Sequence, residues 1–164
     1  MPDNADYYYY EPILWAYYHE PQITTGTSAD TFDLWRTCDR AQVVTFLWRS
    51  YGCPEPKSAS TPFTDLTQDW YKKAVQWAVE QGITNGTSDT TFSPEKTCSV
   101  AEVITFLNRA AGSPGSGGEV WYSGAMNWAK TSGLVQNTSW DGSDPLVNCP
   151  RADIVTYLYR QFGK

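Results

Sequence analysis

Histidine is nearly absent from this chain of 164 residues: His19 is the only one, and methionine occurs only twice. Histidine is the side chain that most often moves protons or holds a metal near neutral pH. His19 sits beside Glu20 and Pro21 with no HExxH pattern, and neither a GxSxG elbow nor a phosphate-cradling glycine loop occurs. Asp141 and Asp144 lack the further acidic ligands of a calcium loop. The chain therefore reads as non-catalytic, with no cofactor and no metal site.

Positive charge is also scarce. Twelve Lys and Arg against 18 Asp and Glu give a net charge of -6, with no basic cluster, which argues against a nucleic-acid partner. An anionic ligand would have to be met by individually placed arginines. No apolar run approaches the roughly 20 residues that span a bilayer, so no membrane insertion is expected. The N-terminus has no basic and then apolar segment of the kind that directs export, so any export signal would lie outside this sequence.

What is present is aromatic and repetitive. With 8 Trp, 11 Tyr and 41% hydrophobic residues there is ample material for one core. A cysteine precedes the same apolar run three times: Cys38 before Val43–Arg49, Cys98 before Val103–Arg109, and Cys149 before Ile154–Arg160. Upstream, Trp15-Ala16, Trp77-Ala78 and Trp128-Ala129 recur, as do Ile23-Thr24-Thr25-Gly26-Thr27-Ser28 and Ile83-Thr84-Asn85-Gly86-Thr87-Ser88, decaying to Leu134-Val135-Gln136-Asn137-Thr138-Ser139. Such periods mean stacked units, none of which closes a core alone. The reading is a single domain, 1–164, with repeats at about 1–53, 63–113 and 119–164, joined by linkers 54–62 and 114–118 rich in Pro, Ser and Gly.

Each copy reads as helix, loop, helix, and the fold class as all-α. Trp70, Ala74, Trp77, Ala78 and Gln81 form one apolar stripe ended by Gly82, and Trp121, Ala125, Trp128 and Ala129 repeat it up to Gly133. On that stripe Trp15, Trp77 and Trp128 are expected in the core. The second helices start at Asp39, Ser99 and Pro150, with Gln42, Glu102 and Asp153 three residues on completing something close to a capping box. In copy one Pro12 stands where Ala74 does, which predicts a late helix start near Pro12. Cys38 and Cys53 flank a helix of about 20 Å, too long for a disulfide between them. Cys38, Cys98 and Cys149 read as small buried hydrophobes, and Cys53 as more exposed.

These residues carry a resemblance. Phe63-Thr64-Asp65, Trp70, Trp77-Ala78, Gly82-Ile83-Thr84-Asn85-Gly86, Thr91-Phe92-Ser93-Pro94 and Phe106-Leu107-Asn108-Arg109 resemble the S-layer homology motifs of Gram-positive surface proteins, which usually occur three in tandem. The resemblance implies a pseudo-threefold bundle whose inter-repeat grooves bind a secondary cell-wall polysaccharide, often pyruvylated, at the cell surface or cell wall. It also implies an arginine at the start of each second helix, matched by Arg40 and Arg151 but replaced by Val100 in copy two. The groove residues expected on this basis are Arg40, Arg151, Trp70, Trp121, Asp65 and Gln42; Asp65, like Asp3 at its equivalent position, could equally be a loop anchor. Aromatics confined to copy one and the loop of copy three support an alternative, a protein or glycan partner held by Tyr8, Tyr10, Tyr18, Trp35 and Trp140.

Overall fold

The computed structural model describes residues 7–58, 60–115 and 118–163, so Asp3 lies outside the described residues. It contains α1 (Tyr10–Tyr18), α2 (Arg40–Ser50), α3 (Asp69–Glu80), α4 (Val100–Ala110), α5 (Ser123–Thr131) and α6 (Arg151–Phe162). Extended pairing among the described residues is confined to three isolated bridges.

Local chemistry fixes most of the helix starts. Asp39 accepts from the Gln42 amide while Gln42 accepts from the Asp39 amide, and Ser99 and Glu102 do the same, so α2 and α4 both begin with a complete capping box. Copy three departs from the expectation. Pro150 is the cap residue and has no side chain able to accept, and the Asp153 carboxyl is drawn away to Tyr8 and Ser139. The first helix starts two residues before Pro12, because a proline in the first turn forfeits no intrahelical hydrogen bond. The α5 helix starts only at Ser123, which leaves Trp121 in the preceding turn rather than on the helical stripe. Ser123 and Gly124 are weaker helix formers than Lys72 and Lys73 at the same place in α3.

The copies do not close on themselves. Helix α2 packs against α3, α4 against α5, and α6 against α1, so each second helix buries its apolar face on the first helix of the next copy, and the last copy returns to the first. Trp77 is buried in this core, with Trp15 and Trp128 packed at its edge. Within each copy the basic residue ending the second helix donates to the loop: Arg49 Nη1 to the Ile23 carbonyl at 2.8 Å, Arg109 Nη1 to Ile83 at 3.1 Å, and Arg160 Nη1 to Leu134 at 2.8 Å. The described parts of the linkers are exposed yet tied down, with the Trp48 indole donating to the Pro54 carbonyl and the Asn108 amide to Pro114.

At the centre, the three segments preceding α2, α4 and α6 meet. Bridges join Thr37 to Pro150, Asp39 to Thr97 and Ser99 to Asn148. The Cys98 amide donates to the Cys38 carbonyl at 2.9 Å and the Cys149 amide to the Cys98 carbonyl at 3.0 Å. All three thiols are buried and all four cysteines are free, with Cys53 half-buried. Burial pushes the Cys38 thiol up to about 11 and raises Cys98 and Cys149 as well.

These thiols make stability fall in alkali. Above the ordinary thiol value of 9.0 the unfolded chain loses protons that the folded chain retains, so unfolding is favoured as pH rises through 9 to about 11. The expected melting temperature is level between neutrality and pH 8 and declines above 9. At pH 8 a thiol-labelling reagent should modify Cys53 rapidly and the other three only at the unfolding rate; four equally fast thiols would contradict this packing.

Candidate binding sites at the seams between copies

The first residue of each second helix sits at a seam, because its backbone amide is bound by the neighbouring copy. The Arg40 amide donates to the Lys96 carbonyl, Arg151 to Arg36 and Val100 to Val147, each at 2.9 Å. A shared backbone frame thus aims three different side chains into three different loops.

At the first seam, Arg40 is 5% exposed. Its Nε donates to the Phe92 carbonyl at 2.8 Å and its Nη1 to Glu102 Oε2 at 2.7 Å, 62 positions away in sequence. The guanidinium lies over the Phe92 ring at 4.8 Å and the Phe106 ring at 5.2 Å. Asp65 holds the same loop from behind, its carboxylate accepting from the amides of Phe92 at 2.9 Å and Ser93 at 2.8 Å. Asp65 is thus a loop anchor.

The seam opens onto a cavity of about 450 Å³ whose walls include Arg40, Thr84, Thr87, Lys96, Glu102, Thr105, Arg109 and Trp121. Three cations face one carboxylate there. Lys96 Nζ is 3.8 Å from Glu102, and burial, then the Arg40 charge, lower the proton affinity of Arg109 without approaching neutrality. The buried hydroxyl of Thr105 has no hydrogen-bond partner among the described residues. Trp121, at 61% exposure, supplies an aromatic wall.

The second seam repeats the arginine without the acid. Arg151 is enclosed: Nε donates to the Phe32 carbonyl at 2.9 Å and Nη2 to Thr24 Oγ1 at 3.1 Å, with the guanidinium 4.7 Å from the Phe32 ring. Gln42 stands where Glu102 does in copy two and its side-chain oxygen is spent on the Asp39 amide at 3.0 Å. Trp70 is 47% exposed, its indole donating to the Gln68 side chain.

The third seam is rebuilt. Val100 and Ser143 replace the Arg–Phe pair, and Asp153, fully buried, takes the place of Glu102. In the absence of a guanidinium it accepts from the Tyr8 hydroxyl at 2.6 Å and from Ser139 Oγ at 2.5 Å. Tyr8 occupies in copy one the position of Trp70 and Trp121, so a wall residue has closed onto the seam. Burial, and then the Asp153 carboxyl, raise the Tyr8 phenol well above its ordinary value and keep it a donor.

Of the expected residues, Arg40 and Trp121 share one cavity, with Asp65 behind it. Arg151 and Gln42 are engaged by protein groups. Among the aromatics, Tyr8 and Trp140 point inward, the latter 8% exposed with its indole on the Asp144 carbonyl at 3.0 Å. Tyr10 and Trp35 line an apolar cavity of about 540 Å³, and the 73%-exposed Tyr18 borders its neighbour. Lys96, Arg109 and Thr105 were not singled out from sequence. Two of them carried a signal, since Arg109 is the basic stop common to all copies and Lys96 matches Arg36 in copy one.

Comparison with known proteins bears on this geometry. The S-layer homology domain family matches residues 62–104. That stretch contains Asp65, Thr84, Thr87, Lys96 and Glu102, the receiving side of the Arg40 seam. An endoglucanase of Bacillus sp. (strain KSM-635) is 34% identical over 92 residues, covering 56% of this chain and 10% of that protein. A cell surface protein of Thermoanaerobacter kivui is 30% identical over 121 residues, covering 65% of this chain and 16% of that protein. The chain thus spans a small part of the length of either relative.

The seams should differ in what their arginines contribute to stability. Arg40→Leu leaves the Glu102 carboxylate largely buried with the Ser99 cap and Lys96, 3.8 Å away, as its partners, for which a loss of roughly 3–5 kcal/mol is expected. Arg151→Leu orphans the Phe32 carbonyl and leaves the Thr24 hydroxyl only its bond from the Gly26 amide, with no charge unpaired, for which about 1–3 kcal/mol is expected. Urea unfolding of both variants checks the order; an Arg151→Leu loss equal to or larger than that of Arg40→Leu would contradict it.

Proposed function

Because residues 62–104 match the S-layer homology domain family, we propose that this chain is a non-catalytic anchoring module that attaches the protein carrying it to the cell surface by holding an anionic cell-wall polysaccharide at the Arg40 seam. The observation that carries the reading is the charge of that cavity, three cations to one carboxylate in a chain whose net charge is -6. A guanidinium and an ammonium together meet a carboxylate with charge-assisted hydrogen bonds, which a low-dielectric wall strengthens. The Trp121 face complements the C–H surface of a sugar ring, and the Thr105 hydroxyl supplies a polar partner that the protein leaves unused. A sugar whose hydroxyls carry a pyruvyl ketal joins these two chemistries in one unit, a compact carboxylate fixed to a ring. The Val100 seam lacks the arginine, and at the Arg151 seam, where Arg36 and Arg49 stand in the places of Lys96 and Arg109, Arg36 is paired with Asp33 at 4.0 Å and Arg49 with the Ile23 carbonyl, so the Arg40 seam does most of the binding.

No helix among the described residues is long and apolar enough to cross a membrane. In this reading, attachment through the polymer supplies retention at the surface. The other reading, a protein partner, is favoured by one observation, the exposure of Tyr18 and Trp35 beside two apolar cavities on copy one. It predicts that a Tyr18→Ser, Trp35→Ser variant keeps its fold and loses that partner.

Sedimentation with purified cell-wall sacculi tests the anchoring reading. The intact chain should pellet with native walls and remain soluble with walls stripped of their anionic polymer. Lys96→Ala and Trp121→Ala change exposed side chains, and each should weaken binding about tenfold, the loss expected for one charge-assisted bond or one stacked ring. Binding that survives both variants, or that survives stripping, would contradict the assignment.

A further inference from the structure

Copy three departs from the other two around a second cavity, of about 540 Å³, between the end of α5, the loop 132–137 and the end of α6. Its walls include Trp128, Ser132, Gln136, Asn137, Arg160 and Gln161. Three of these are amides where the other copies have different residues. Gln161 corresponds to Ser50 and Ala110, Gln136 to Thr25 and Asn85, and Asn137 to Gly26 and Gly86.

Asn137 is the most informative of these. Gly26 and Gly86 have φ of +84° and +79°, and a Cβ at either would run into the carbonyl of Thr31 or Thr91. Asn137 keeps the left-handed conformation at +54° yet carries a side chain, in a region that disfavours one. Its amide is exposed on the cavity wall.

Gln161 gives an independent pointer to a ligand. Its Nε2 donates to the Leu107 carbonyl at 3.5 Å, while its buried Oε1 has no hydrogen-bond partner among the described residues. A buried acceptor left unpaired is costly unless something donates to it. Arg160, the one charged side chain among the described residues of the wall, has its Nη1 bound by the carbonyls of Gly133, Leu134 and Gln136, the last two at 2.8 and 2.7 Å. With its Nη1 so held, that one positive charge is joined on the wall by amides that both donate and accept, a hydroxyl, and the indole of Trp128.

We propose that this cavity is a second binding site that takes a neutral sugar residue, with Trp128 as the stacking face and the amides of Gln136, Asn137 and Gln161 paired to its hydroxyl or acetamido groups. Amides suit vicinal polar groups because each presents a donor and an acceptor side by side. The site differs from the Arg40 seam in place and in charge preference, and it does not rest on the anchoring reading. The two together would let one module grip an anionic substituent and an unsubstituted stretch of wall glycan.

Titration of the isotope-labelled chain, followed at the Trp128 indole N–H resonance, tests this with three probes: the β-linked trimers of N-acetylglucosamine and of glucose, and glucuronic acid. At least one neutral trimer should move the resonance to saturation. A preference for the acetamido trimer would assign the Gln161 partner as an amide N–H, and equal binding would assign it as a hydroxyl. Gln161→Leu should weaken binding about tenfold, and Asn137→Gly, which restores the residue of the other copies, should weaken it with the melting temperature retained. Lys96→Ala should leave the titration unchanged, so failure of wall anchoring and failure of this site are separable. No shift with either neutral trimer, a shift with glucuronic acid alone, or undiminished binding by Gln161→Leu and Asn137→Gly would overturn the proposal.

Discussion

The hydrogen bond from the first amide of each second helix to the neighbouring copy is the constraint on which the rest of the structure depends. Arg40, Val100 and Arg151 all donate there, to Lys96, Val147 and Arg36. A copy cannot bury the apolar face of its second helix by itself, so that face is covered by the first helix of the next copy and α6 returns to α1. The three cysteine segments are pressed together as a result. Their side chains must be small and apolar, and their thiols are withdrawn from water and from reaction. Any seam between copies is therefore a junction of sequence-distant residues on a rigid backbone frame, which is where a binding cleft can vary without disturbing the core.

The three seams use that frame differently. In the first, a buried arginine meets a half-buried glutamate, with Lys96 3.8 Å from that acid and Arg109 bound to the Ile83 carbonyl, so the cavity carries more positive charge than its carboxylate balances. In the second, the arginine is absorbed by a carbonyl, a hydroxyl and aromatic rings. In the third, no arginine starts the helix, Arg160 Nη1 is bound by the carbonyls of its own loop, and the acid that would have paired with an arginine is satisfied by Tyr8 and Ser139 instead. Burying a charge costs more than a surface pair returns unless every partner is in place, which explains why loss of the arginine is accompanied by a tyrosine moved onto the acid. Binding capacity follows from this accounting of partners, since only a seam with cations in excess of its carboxylates can receive another anion.

Much of this was legible from the residues. Asp39 and Ser99 announced their helices because a cap acts within four residues, and the burial of Cys38, Cys98 and Cys149 followed from their place before an apolar run. Arg40 was identified through a motif, and Asp65 read as a possible loop anchor, as the geometry has it. The remainder depended on contacts between copies, which adjacency in sequence does not encode. Arg40 and Arg151 look alike in the chain, and only the fold shows that the first meets the neighbour's Glu102 while Gln42, in the equivalent place, is turned to the Asp39 amide. Tyr8 and Trp140 have the composition of a recognition surface, but Asp153 across the fold draws the first inward and the Asp144 carbonyl of its own loop holds the second. The α5 start was misread because the apolar stripe of α3 continues through Trp121 in spacing while Ser123 and Gly124 weaken the helix there. Gln161 gave no signal at all, since an unsatisfied acceptor exists only once its surroundings are folded.

The central claim is that the anionic group of the wall polymer, received by an excess of cations at one seam, is what holds this chain to the surface. Calorimetric affinity for the solubilised polymer, measured before and after mild acid hydrolysis of its acidic ketal groups with the sugar backbone left intact, tests that claim most directly. The account predicts at least a tenfold loss of affinity on removal of the charge, together with a marked fall in affinity of the untreated polymer as salt is raised. Equal affinity for the two polymers would contradict it.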